Sequence, residues 1–169
     1  FSAGGKAENV TVVTVAQALA FNQVAEQWKA VAKVGFIQES APPSTFTGLV
    51  INQASLTLSG SDGVFQGGAI TTESSGQQVM SSGDLFISRY YTGNDFDIGS
   101  AGWETLMHEV GHALRLKDVG GANYSKSTTI MSSDNLDDYS YFTPMLYDIK
   151  AVQDKYGANL NTNSGNTTY

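Results

Sequence analysis

His108 and His112 are the only two histidines in the 169 residues, and both fall in one run, His108-Glu109-Val110-Gly111-His112. Four residues make about one helical turn, so on a helix both imidazoles leave the same face and their nitrogens can meet at one ion. Glu109 sits one step round, within reach of a water on that ion without binding the ion itself. Such a trio suits metal-assisted hydrolysis, in which zinc polarises the water and the carboxylate takes its proton. Short motifs also arise by chance, and two histidines on a helix surface need no metal. A third ligand would separate the readings, because hydrolytic zinc takes three protein ligands and keeps a fourth position open. The chain has no third histidine and no cysteine. Asp118 stands just beyond the expected helix end at Leu116–Lys117. A carboxylate there opposes the helix dipole unless a cation compensates. A metal would do so, and so would Arg115 or Lys117 in a surface salt bridge. The sequence leaves both open.

The elements that must position this trio show in the periodicity. Phe21, Val24/Ala25, Trp28 and Val31/Ala32 recur at helical steps, and Thr14 with Gln17 offers a capping box at the start. The second helix is expected from Ala101 to Leu116, with Trp103, Leu106/Met107, Val110 and Ala113/Leu114 as its apolar stripe. Ser100 is its expected N-cap, and Glu104 in the first turn suits the dipole. A third helix should begin with Thr143 as cap and Pro144 in its first position, and stop at Gly157. Between the first two helices the pattern changes to short strand-like runs at Gly35–Glu39, Leu49–Ser59, Ala69–Thr72 and Asp84–Ser88. Val119 to Tyr141 has no sustained period and reads as a long irregular, functional loop. Its aromatics and acids, Tyr124, Asp134, Asp137, Asp138, Tyr139 and Tyr141, are pocket wall or solvated loop. The order describes a single α/β or α+β domain with its sheet in the first half.

Composition narrows the function classes. Hydrophobic residues make up 41% and charged residues 15%, and Gly, Ser, Thr, Asn and Gln fill the difference, a profile that suits a secreted or surface protein better than a cytosolic one. A net charge of −7 argues against a nucleic-acid partner, which needs basic clusters. The absence of cysteine removes a disulfide framework and a thiol nucleophile. No run approaches the roughly 18 apolar residues of a membrane helix. The chain opens on Phe1 without a targeting segment, and so reads as a processed form or an excised piece. Residues 1–157 form the expected domain, and 158–169, rich in Asn, Thr and Gly, read as a tail or linker.

The run HEVGHALRLKD, followed by TIMSS and then PMLYDIKAVQDKYGAN, resembles the catalytic domain of metzincin metalloproteases, and within them the serralysins, secreted bacterial zinc endopeptidases. FNQVAEQWKAVAKVGFIQE resembles the family's first helix and following strand, and GDLFIS the strand that leads to the active-site helix. The resemblance implies a twisted, mainly parallel sheet with an antiparallel edge strand, packed on two long helices with a third helix at the C-terminal end. It makes His108 and His112 zinc ligands, Glu109 the general base, Asp118 the third ligand, and Met131 the residue of the Met-turn beneath the metal. Ala69, Ile70 and Thr71 would lie in the edge strand that pairs with an extended peptide substrate, a mode that reads backbone rather than side chains.

Three positions depart from that pattern. Arg115 stands where the family usually has glycine, Asp118 where it usually has histidine, and Ser133 where serralysins carry a tyrosine that can ligate zinc. Tyr139 and Tyr141 are the candidates to replace that tyrosine as a fifth ligand or oxyanion support. The family's glycine-aspartate calcium repeats do not occur here, so Ca2+ rests on the resemblance alone. The expected function is a secreted zinc endopeptidase. The rival is a pseudoprotease that binds a peptide or protein without cutting it.

Overall fold

The chain runs β1 (Ala7–Val12), α1 (Val15–Val31), β2 (Leu49–Leu56), β3 (Gly63–Gly67), β4 (Ile70–Thr72), β5 (Gln78–Met80), β6 (Gly83–Ser88), α2 (Ala101–Ala113) and α3 (Leu146–Tyr156). In the computed structural model the described residues are 7–36, 49–56, 63–67, 70–72, 74, 78–80, 83–121, 123–133, 142–162 and 164.

Thr14 starts α1 as a capping box. Its Oγ1 accepts from the Gln17 N–H at 3.2 Å, and the Gln17 side chain accepts from the Thr14 N–H at 2.8 Å. The helix buries Ala20, Phe21, Val24, Ala25 and Trp28 along one stripe. That stripe joins Trp103, Leu106, Met107, Val110 and Ala113 of α2, Leu85 and Ile87 of β6, and Phe65 of β3 in one core. Each fully buried large apolar side chain contributes on the order of 1.5–3 kcal/mol. Ile130, Met131 and, from α3, Val152 extend the same core beneath α2.

The sheet has the order β1-β2-β6-β3. β2 runs parallel to β6, while β1 pairs antiparallel with β2 and β3 pairs antiparallel with β6. The fold is therefore mixed helix and strand, compatible with α+β, but among the described residues one pairing of three is parallel and the sheet is not mainly so. Alternation tells which face a side chain takes, not which way its neighbouring strand runs. β1, β3 and β5 fall outside the expected strands, and Gly35 and Phe36 are not in a strand; 37–39 and 57–59 lie outside the described residues. The edge beside β6 is β3. Ile70 and Thr71 instead belong to β4, which pairs with β5 in a separate two-stranded sheet, and Ala69 is outside the described residues.

Ser100 caps α2 through a 3.5 Å contact from the Trp103 N–H, with Glu104 in the first turn. The helix ends at Ala113, earlier than the apolar stripe suggested, in a Schellman turn. Arg115 N–H donates to the His112 carbonyl at 2.8 Å and Leu116 N–H to the Gly111 carbonyl at 3.0 Å. This turn requires the left-handed region, and Arg115 adopts it with φ 65°. A side chain there costs about 1–2 kcal/mol, part of which a glycine would lose again through its freer unfolded chain. Arg115→Gly is therefore expected to stabilise the fold by up to about 1 kcal/mol, read as a higher urea midpoint at unchanged slope.

α3 starts at Leu146 rather than at Pro144. Its cap is Met145, whose N–H donates to the Asp148 carboxylate at 2.9 Å, so an acid inside the helix does the work expected of Thr143. Gly157 ends the helix at φ 83°. Gln153 Nε2 donates to the Val31 carbonyl at 2.9 Å, Lys33 N–H to the Gly157 carbonyl at 2.9 Å, and Asn159 Nδ2 to the Lys29 carbonyl at 2.6 Å. Residues 158–159 are thus tied to the end of α1. No helix among the described residues is long and apolar enough to cross a membrane.

Candidate metal centre

One turn of α2 separates His108 from His112, and their ring centroids lie 4.7 Å apart. Each ring is held from behind by a carbonyl. His108 Nδ1 lies 2.8 Å from the Ile130 oxygen, and His112 Nδ1 lies 3.1 Å from the Leu116 oxygen. A carbonyl only accepts, so both Nδ1 atoms carry hydrogen and both Nε2 atoms of the neutral rings present lone pairs. Those lone pairs point at one atom, Asp118 Oδ1, 3.2 Å from each Nε2. The Schellman turn makes this possible, since it aims the Leu116 carbonyl back at His112 and then delivers Asp118 to the same face.

Three acceptors meeting at one point lack a positive charge. Burial pushes the His108 imidazole down, yet the hydrogen bond to Asp118, the charges of Glu109 and Asp118 and the Ile130 carbonyl outweigh it, and its pKa is raised. His112 is lowered by burial and by the charge of His108. Asp118 is held below the usual carboxylate range, first by the hydrogen bond from His108. A divalent cation satisfies the same three atoms. Tetrahedral zinc with bonds of about 2.0–2.1 Å holds its ligand atoms about 3.3 Å apart, close to the 3.2 Å from each Nε2 to Asp118 Oδ1. The donor set fits zinc, and no other group of three histidines or acids among the described residues is gathered this closely.

Glu109 lies against β3, within electrostatic reach of His108 and Asp118. Its carboxylate accepts from the Phe65 backbone N–H, and its Oε2 is buried without a partner among the described residues. Burial raises its pKa to about 7. The edge strand approaches closely because Gly63 has no side chain; a Cβ there would stand 2.8 Å from Glu109 Cγ and 2.5 Å from Thr105 Cγ2. Gly63→Ala is expected to lift β3 off α2, costing about 1–3 kcal/mol as an overpacked contact and lowering any rate that depends on Glu109; thermal melts and activity together check it.

Met131 packs against α2 at Gly111. It is buried, and its Sδ would stand 2.7 Å from a Cβ at Gly111, so glycine in the middle of the motif admits it. Ser133 N–H donates to the Val119 carbonyl and Val119 N–H to the Met131 carbonyl, both at 2.9 Å, which holds Asp118 close to the segment that carries Ile130. Tyr139 and Tyr141 lie outside the described residues, and Tyr124 packs edge-on against Tyr147. Sequence reasoning missed Phe65, Thr129 and Asp148. Asp148 is buried and accepts from Thr129 Oγ1 at 2.6 Å and from the Ile130 N–H at 2.9 Å. Its burial and partners come from where α3 docks, which no local pattern marks.

No family model matches the chain. It is similar to a serralysin of Proteus mirabilis, 31% identical over 112 residues, covering 52% of this chain and 23% of the relative. It is also similar to serralysin G of Dickeya chrysanthemi, 36% identical over 93 residues, covering 43% and 20%. Metallopeptidase AprA of Pseudomonas marginalis is 31% identical over 114 residues, covering 48% and 24%. The match takes in about half of this chain and less than a quarter of each relative's length.

Proposed function

We propose that residues 1–157 form the catalytic domain of a secreted zinc-dependent endopeptidase, in which His108, His112 and Asp118 hold the ion and Glu109 moves the proton. The observation that carries this reading is the convergence of two Nε2 lone pairs and one carboxylate oxygen, with both Nδ1 atoms committed to carbonyls. The similarity to serralysins supports a peptide substrate. Zinc, when bound, supplies Lewis acidity to the scissile carbonyl and to water. Glu109 accepts the proton of the attacking water at its unpartnered oxygen and passes it to the departing amine. Asp118 contributes a negative charge where a third imidazole would be neutral, which makes the centre less electrophilic and the activity modest. An extended substrate pairs with the edge strand β3, beside Glu109.

Protein purified without chelator is expected to hold about one zinc and to cleave an unstructured protein such as casein, losing both to a chelator and regaining both when zinc returns. Clearly sub-stoichiometric zinc after zinc is supplied would sink the reading. Full zinc without cleavage would leave a peptide-binding module in its place.

A further inference from the structure

Asp148 lies on α3, away from the three atoms that meet at the centre, yet a continuous set of hydrogen bonds joins it to His108. Its Oδ1 accepts from Thr129 Oγ1 at 2.6 Å. With its hydrogen given to Asp148, Thr129 Oγ1 is left as an acceptor, and it takes the Met131 N–H at 3.1 Å. That N–H and the Ile130 carbonyl belong to one planar peptide. In a trans peptide they point in opposite directions, so fixing the N–H aims the oxygen. The oxygen it aims is the one 2.8 Å from His108 Nδ1. Asp148 Oδ2 also takes the Ile130 N–H at 2.9 Å, which pins the preceding peptide. Asp148 and Thr129 are both buried, so water does not substitute in these bonds.

We propose that Asp148 and Thr129 are positioning residues that set the tautomer and ring orientation of His108 through the Ile130–Met131 peptide, and so keep its Nε2 lone pair directed at the metal position. The proposal rests on the zinc reading for its purpose, but its geometry stands in the metal-free protein. His112 provides an internal control, because its Nδ1 is held by the Leu116 carbonyl, outside this relay. Outer partners of this kind typically change metal affinity 10- to 100-fold when removed.

The test compares wild type with Thr129→Val, Thr129→Ser and Asp148→Ala. Long-range 1H–15N spectra of the two imidazoles are recorded in metal-free protein at alkaline pH, and zinc affinity is measured against a competing chelator. Thr129→Val is close in shape and keeps Asp148 on the Ile130 and Met145 N–H groups, so it remains informative if Asp148→Ala does not fold. Thr129→Val is expected to lose the Nδ1–H preference of His108 while His112 keeps its own, and to raise the zinc dissociation constant about 10- to 100-fold. Thr129→Ser, which retains the hydroxyl, should restore both. An unchanged His108 in Thr129→Val overturns the relay. So does loss of order at both rings together, which would mean general loosening. If the wild type shows the tautomer pattern and Thr129→Val selectively abolishes it, but zinc does not bind, the relay stands and the zinc reading falls.

Discussion

Replacing Glu109 by Gln is expected to slow casein cleavage by about 10²- to 10⁴-fold while zinc stays bound at unchanged stoichiometry. Gln matches Glu in shape, keeps an oxygen for the Phe65 N–H, and leaves the close approach of Gly63 undisturbed. What it loses is the ability to take a proton. Because Glu109 is not among the three side chains gathered at the centre, metal retention and turnover should separate cleanly. Parallel measurement of kcat/KM and zinc content checks this. A Gln variant with near-full activity would remove Glu109 from the proton transfer, even with zinc in place.

Asp118→Ala is expected to weaken zinc binding by more than about 100-fold, since two protein ligands would remain and the loss should exceed that of an outer partner. Asp118→His, which keeps three ligands, is expected to retain the ion. The contrasting outcome is specific. If Asp118 only pairs with surface charges, the Ala variant changes stability by less than about 1 kcal/mol and leaves zinc affinity unaltered. Equal affinity in wild type and variant excludes Asp118 from the ligand set. Competition with a chromogenic chelator resolves a change of this size.

The features readable from sequence were those governed by neighbours in the chain. The one-turn spacing of His108 and His112, the Thr14 box, the Ser100 cap and the positive-φ glycine stop at Gly157 all depend on residues within a turn or so. Asp118 was legible as a candidate for the same reason, since the Schellman turn that delivers it is local. The direction of β3 and its role as the edge beside Glu109 were not legible. Gly63–Gly67 and Ile70–Thr72 are short runs of similar character, and the partner that distinguishes them is β6, some twenty residues away. Asp148 carries no local signal of its role. Its burial against Thr129 and Ile130 depends on where α3 docks. Thr143 lost the capping role for a related reason: Asp148 already reaches the Met145 N–H.

The backbone ties around Val119 bear on how the centre would come apart. His108 leans on Ile130, Asp118 precedes Val119, which is bonded to Met131 and Ser133, and His112 leans on Leu116 of the same stretch. The three side chains are therefore not independent arms that let go one at a time. Opening the Val119–Ser132 bridge frees Asp118 and unsettles the support of His108 in one event. Local unfolding of small cooperative units generally needs less free energy than global unfolding. An ion held there would exchange at the frequency with which this one segment breathes, well below the threshold at which the core of α1, α2 and β6 gives way.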